Sequence, residues 1–113
     1  MLMITTRETG RWVIPKGWPM PSKTDWDAAA AEAVEEAGAI GRIDSEPIGR
    51  FEYFKRRERH FDLVEVTVYR LSVEQQLEDW PERDERQVRW FPARAAAELV
   101  QEPGLAALLM ALL

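Results

Sequence analysis

The 113-residue chain has no cysteine. That excludes a disulfide framework and any thiolate metal site, and it fits a cytoplasmic protein. A long apolar run is also missing. The opening MLMITTRETG lacks the h-region of a signal peptide. The closing LAALLMALL is apolar but about half the length needed to span a bilayer. It reads as a buried or partner-facing helix, and no membrane association is expected. Basic excess is absent too. The net charge of −5 argues against general nucleic-acid binding, which usually needs a basic face. It does not exclude a phosphate substrate, because local charge decides that contact. There is no internal repeat, low-complexity tract or linker. What remains is ordinary for a soluble globular protein, with 46% hydrophobic and 31% charged residues. One domain over residues 1–113, with one modest core, is expected.

Leu2–Arg7 and Arg11–Pro15 read as short strands joined by the turn Glu8-Thr9-Gly10. Residues 16–23 carry Gly17, Pro19 and Pro21 and read as a loop. Thr24 is a good N-cap, with Asp27 three residues on as a variant capping box. Asp25 and Asp27 suit the positive end of the helix dipole. The helix runs to about Ala37, where Gly38 is a natural stop. Ala29, Ala30, Ala33 and Ala37 give it a small apolar side. Phe51–Lys55 and Phe61–Val73 read as a hairpin around the charged turn Arg56–Arg59. Val64, Val66 and Val68 alternate there with Glu65, Thr67 and Tyr69. Gln87–Phe91 is a further strand. Pro92 fits the first turn of a helix through Val100, and Pro103-Gly104 precedes the last apolar helix. The pattern is a mixed α/β domain.

The chemistry concentrates near the end of the first helix. Glu32, Glu35 and Glu36 stand at i, i+3 and i+4, on one face. Like charges so spaced destabilise a helix by roughly 0.2–0.5 kcal/mol per pair. A hard divalent cation offsets that, since Mg²⁺ and Mn²⁺ favour carboxylate oxygens. A solvated acidic face is the alternative reading.

The stretch Gly17–Gly38 resembles the signature of the Nudix hydrolases, G-x5-E-x7-R-E-U-x-E-E-x-G-U, with U a bulky aliphatic residue. Gly17, Glu32, Glu35, Glu36 and Gly38 match. Ala33 and Ala39 hold the aliphatic positions. Lys23 stands where the family has glutamate, and Ala31 where it has arginine. RWVIPKG before this box, and LEDW (Leu77–Trp80) and RWF (Arg89–Phe91) after it, resemble the branch of diphosphoinositol polyphosphate phosphohydrolases and diadenosine polyphosphate hydrolases. The resemblance spans roughly Leu2 to Leu99. It implies a Nudix-type α/β/α sandwich with a mixed sheet. Domains of this kind usually carry a strand before the one that begins here at Leu2. The sequence then either starts inside a longer domain or completes its sheet edge in another way. A strand from a second copy, giving a homodimer, would do so; an uncovered edge would invite aggregation.

The resemblance also implies an activity. Substrates of the family contain a diphosphate linked to another group, and metal ions bridging phosphate oxygens do much of the catalysis. Glu32, Glu35 and Glu36 are expected to hold Mg²⁺ or Mn²⁺, with Glu36 the principal ligand. The base is Glu32 or a glutamate of the later acidic loop (Glu78, Glu82 or Glu85). Ala31 cannot orient a glutamate as the family's arginine does, and lost outer-shell contacts weaken metal sites by about 10–100-fold.

Arg7, Arg11 and Lys16 surround the strands leading into the signature loop. Lys55, Arg56, Arg57, Arg59 and His60 form a dense basic turn, and Arg86 and Arg89 lie near the last strand. By positional match, Arg7, Arg11, Lys16, Arg59, His60 and Arg86 are the expected phosphate contacts, guanidinium forks being suited to phosphate. A solvated turn is the plainer reading of Lys55–Arg59. Trp18 either stacks on a nucleobase or covers the core. The leading function is a metal-dependent pyrophosphohydrolase acting on a small phosphoanhydride. The runner-up is a non-catalytic ligand sensor on the same fold, and the third is a plain structural domain.

Overall fold

A computed structural model describes all 113 residues. The strands are β1 (Leu2–Thr5), β2 (Trp12–Val13), β3 (Ala39–Ile43), β4 (Gly49–Arg56), β5 (Phe61–Val68), β6 (Leu71–Gln76) and β7 (Val88–Trp90). Helix α1 (Asp25–Ala37) lies between β2 and β3, while α2 (Ala93–Leu99) and α3 (Pro103–Ala111) end the chain.

β1 shows how the layers arise. Successive side chains of a strand point to opposite faces. Met3, fully buried, therefore joins a core cluster with Ala96, Ala97, Leu105 and Leu109 from α2 and α3. Its neighbour Ile4 joins a second cluster with Ala33 and Ala37 of α1. The strands thus lie between α1 on one side and α2–α3 on the other, the expected α/β/α arrangement. Burying side chains such as Met3 and Ile4 stabilises by roughly 1.5–3 kcal/mol each.

The expected mixed sheet is not what forms. The strands make three separate ladders, β2-β1-β7, β3-β6 and β4-β5, and every pairing is antiparallel. The long strand expected over Phe61–Val73 breaks after Val68. β5 pairs back onto β4, while β6 leaves to pair with β3, which carries a register shift at Ile40/Gly41. Residues Val64 to Leu71 line a cavity of about 1130 Å³ without interruption. A strand lining a space with every residue presents its edge to it, so the edge of β5 away from β4 is uncovered. Its lining draws on both core clusters, with Val68 and Leu109 from one and Ala33 and Ala39 from the other.

α1 follows its sequence closely. The Asp27 N–H donates to Thr24 Oγ1 at 3.2 Å, the expected N-cap. Gly38 ends the helix with φ +64°, a conformation that costs other residues roughly 1–2 kcal/mol. Ala28, Ala33 and Ala37 are its buried alanines; Ala29 and Ala30 are only half-buried. Pro92 caps α2 from outside instead of entering its first turn. In α3, Leu105 and Leu109 are buried while Met110 faces outward, as does Leu113 beyond the helix end. No helix is long and apolar enough to cross a membrane.

Candidate functional site

The last two turns of α1 carry the acidic residues into a cleft. Gly17 lets the preceding loop come close, because a Cβ there would run into the Glu32 carboxylate. This approach brings the Lys16 N–H within 3.3 Å of Glu36 Oε2, to which it donates. Glu36 is only 6% exposed. Beyond Gly38, the segment Leu77–Glu82 is laced to the helix end. The Leu77 N–H donates to the Gly38 carbonyl at 2.8 Å and the Glu82 N–H to the Glu35 carbonyl at 3.1 Å. Trp80 lies where a Cβ on Gly38 would be. These contacts deliver the Glu82 side chain to the same cleft. A short 3-10 turn, Arg83–Glu85, then brings back Arg86. Its Nε donates to Glu82 Oε1 at 2.7 Å, and its Nη1 to the Thr5 carbonyl at 3.0 Å. Its Nη2 stands 3.7 Å from Glu36 Oε1.

Charge is crowded here. Burial pushes the Glu36 carboxyl up to about 7, against the pull of Arg86 and the Lys16 N–H, while Glu32 and Glu82 push it further up. Glu32 is raised as well, first by burial, then by Glu35 and Glu82. Carboxylates that raise one another in this way suit a hard divalent cation, which takes oxygen ligands. The donor chemistry therefore fits Mg²⁺ or Mn²⁺. The spacing is looser: no three acidic or histidine side chains stand together at metal-ligating separation. Glu35 is exposed.

The cleft is the outer part of the cavity beside β5. Its lining includes Glu32, Glu35, Glu36 and Glu82 together with Arg7, Lys16, Lys55 and Arg86. Lys16 Nζ sits 5.3 Å from the Tyr53 ring centroid and Lys55 Nζ 5.3 Å from that of Trp18. Trp18 is 56% exposed, so it does not cover the core. Arg7 pairs with Glu85 at 3.2 Å on the surface.

The expected phosphate contacts separate into groups. Arg7, Lys16 and Arg86 share the acidic cleft. Arg11 does not line it; its Nη1 donates to Glu102 Oε1 at 3.0 Å beside the start of α3. Arg59 and His60 lie in the exposed β4–β5 turn, in a shallow pocket of about 360 Å³ shared with Arg57, Glu58 and Asp62. There Arg57 and His60 both bond Asp62, at 2.7 and 3.1 Å. Arg57 holds the Asp62 carboxyl below its ordinary value. Local carboxylates thus engage part of this turn. Tyr53 is a cleft residue that the sequence reading did not name, and the pairing of Glu82 with Arg86 is visible only in the structure. Tyr53 and Lys55, two apart on β4, share the face toward the cleft. Glu82 and Arg86, four apart, form a pair across the short turn.

Comparison with known proteins bears on this geometry. The family model for the NUDIX domain matches residues 1–112. The chain belongs to the Nudix family. It is 34% identical over 103 residues to Nudix hydrolase 12, mitochondrial, of Arabidopsis thaliana, covering 88% of this chain and 51% of that protein. It is 32% identical over 103 residues to diphosphoinositol polyphosphate phosphohydrolase 2 of Rattus norvegicus, covering 89% and 54%. The chain thus spans about half the length of these relatives. Among solved structures, an Ap4A hydrolase binary complex from C. elegans matches with a TM-score of 0.67 at 19% identity, covering 96% of this chain and 80% of that one. That likeness is one of fold.

Proposed function

We propose that this domain hydrolyses a phosphoanhydride bond in a small nucleoside-diphosphate-linked, diadenosine polyphosphate or diphosphoinositol polyphosphate substrate. The observation that carries the proposal is Glu36. It is buried, crowded by Glu32 and Glu82, and set in a cleft rimmed by Arg7, Lys16 and Lys55. Such a centre is electrostatically costly unless a cation and a polyanion use it.

Glu32, Glu35 and Glu36 are the residues that would hold Mg²⁺ or Mn²⁺. A bound ion supplies charge neutralisation on the phosphates and a more acidic water. The chain does the rest. Arg7, Lys16 and Lys55 hold the non-reacting phosphates. Glu32 accepts the proton as a water oxygen bonds to phosphorus, and the bridging P–O bond breaks with its electron pair leaving on the departing phosphate. Glu82 is less suited to that task because its Oε1 is committed to Arg86. Among the candidate substrates, the exposed Trp18 beside Lys55 favours one carrying a nucleobase, which can stack on the indole. Arg59 and His60, outside the cleft lining, add no grip on a compact polyphosphate.

A non-catalytic sensor is the second reading, favoured by the absence of any ready cluster of three donors. Phosphate release decides between them. It is measured on diadenosine polyphosphates, diphosphoinositol polyphosphates and nucleoside diphosphate derivatives, with Mg²⁺, Mn²⁺ or EDTA, beside Glu36→Gln. Metal-dependent turnover lost in the variant supports the hydrolase. Binding without turnover supports the sensor.

A further inference from the structure

We propose that Arg86 is a positioning residue that orders the acidic centre, and not a contact for the substrate. The inference rests on the hydrolase reading above.

The need for such a residue is visible in α1. No lysine or arginine occurs anywhere in Asp25–Ala37. The helix gathers Glu32, Glu35 and Glu36 but offers no cation of its own to hold them. Ala31, beside the first of them, contributes only a methyl group. The cation arrives from elsewhere in the chain. Arg86 is the one side chain in ion-pair contact with Glu36, and the same guanidinium holds Glu82.

The geometry leaves it little freedom for another task. Its side chain is 10% exposed. Each of its three nitrogens faces a different element: Nε faces Glu82 beyond α1, Nη1 the Thr5 carbonyl ending β1, and Nη2 Glu36 on α1. Next to it, the Gln87 N–H donates to Thr5 Oγ1 at 2.9 Å, and the Thr5 N–H to the Gln87 carbonyl at 3.1 Å. The backbone that carries Arg86 is therefore fixed to β1. With Nε and Nη1 engaged at 2.7 and 3.0 Å, a phosphate reaching this guanidinium would have to compete with Glu36 for Nη2. Lys55, on the rim, offers charge without that competition, and Arg7 need give up only its exposed pair with Glu85. The planar fork matters as well, since a lysine presents a point charge and cannot span the three acceptors.

The test uses the full chain and two readouts. Mn²⁺ binding is measured directly, by the loss of the free-ion electron paramagnetic resonance signal. kcat and KM are measured on whichever substrate the panel identifies. Arg86→Ala is expected to weaken Mn²⁺ binding about 10–100-fold and to lower kcat, while KM changes less than about threefold. Arg86→Lys restores only part of the loss. Arg7→Ala gives the opposite split, a raised KM with unchanged Mn²⁺ binding. If Arg86→Ala does not fold, Arg86→Lys decides by the same comparison. A raised KM with unaltered Mn²⁺ binding in the Arg86 variants overturns this inference and leaves the hydrolase reading standing. A wild-type chain with neither Mn²⁺ binding nor turnover overturns both.

Discussion

Replacing Glu36 with glutamine is expected to stabilise the ion-free protein at alkaline pH while abolishing its metal response. The Glu36 carboxyl is pushed from 4.5 up to about 7. Each tenfold change in proton affinity is worth about 1.4 kcal/mol between the two protonation states. Ionised Glu36 thus costs the fold about 3 kcal/mol well above pH 7. The sign follows from proton binding. Between about pH 4.5 and 7 the folded chain holds a proton that the unfolded chain releases, so this contribution is full below 4.5 and declines as pH rises through 7. Glutamine keeps the shape and can still accept the Lys16 N–H. It forgoes the attraction of Arg86, so the net gain is smaller, about 1–2 kcal/mol at pH 8.5. For a domain of this size that raises Tm by roughly 4–10 °C. The assay is thermal unfolding of both proteins in EDTA at pH 5 and pH 8.5. Near pH 5 the wild-type carboxyl is protonated in the folded state and the two curves should nearly coincide. Adding Mn²⁺ at pH 8.5 should raise the wild-type Tm by mass action and leave the variant unmoved. A variant no more stable than wild type at pH 8.5, or a gap of equal size at both pH values, would refute the reasoning.

Gly17→Ala is expected to displace the flexible Glu32 carboxylate. kcat/KM should fall at least about tenfold while stability changes by only about 1 kcal/mol, as activity and urea titration would show. Gly38→Ala meets both a left-handed backbone and the Trp80 ring, and should cost about 2 kcal/mol or more in urea unfolding. Arg11→Met leaves Glu102 buried without its cation, where one oxygen already lacks a partner. It should cost about 2 kcal/mol in the same titration, with KM unchanged because Arg11 lies outside the cleft.

Helix α1 is legible in the sequence because its signals are local. Thr24 caps it, Gly38 stops it in a left-handed turn, and the box between sets the acidic face. The strands are less legible because pairing is not local. Alternating valines mark Phe61–Val73 as extended, yet nothing in that run announces that residues 71–76 leave β4 and pair with residues 39–43. β3 is hard to read since AIGRI has a glycine at its register shift and too few apolar residues to alternate. The site shows the same division. Glu32, Glu35 and Glu36 share one turn and can be read by counting. The partner of Glu36 is fifty residues away in sequence, and only the bonds between Thr5 and Gln87 bring Arg86 to it. Arg11, Arg59 and His60 look equally basic in sequence. Glu102 and Asp62, which decide where Arg11 and His60 point, are recognisable only in three dimensions.

The alanine content of α1 and the state of Glu36 have one origin. Ala33 and Ala37 are buried in the cluster that contains Ile4 and Val13. Side chains this small let the helix axis lie close to β1 and β3. Larger residues there would hold α1 away, and the backbone at Lys16 would lose Glu36 Oε2. Close packing therefore draws the carboxylate out of water and raises its proton affinity. Arg86 is the cationic side chain in ion-pair contact with that carboxylate. A substitution that thickens the packed face, such as Ala37→Leu at a fully buried position away from the cavity, should then disturb the site through distance alone. Overpacking of this kind costs about 1–3 kcal/mol. Its signature would be weaker Mn²⁺ binding in a chain whose glutamates and Arg86 are all intact. If Ala37→Leu is destabilised by that amount yet binds Mn²⁺ as wild type does, close packing of α1 is not what sets the acidic centre.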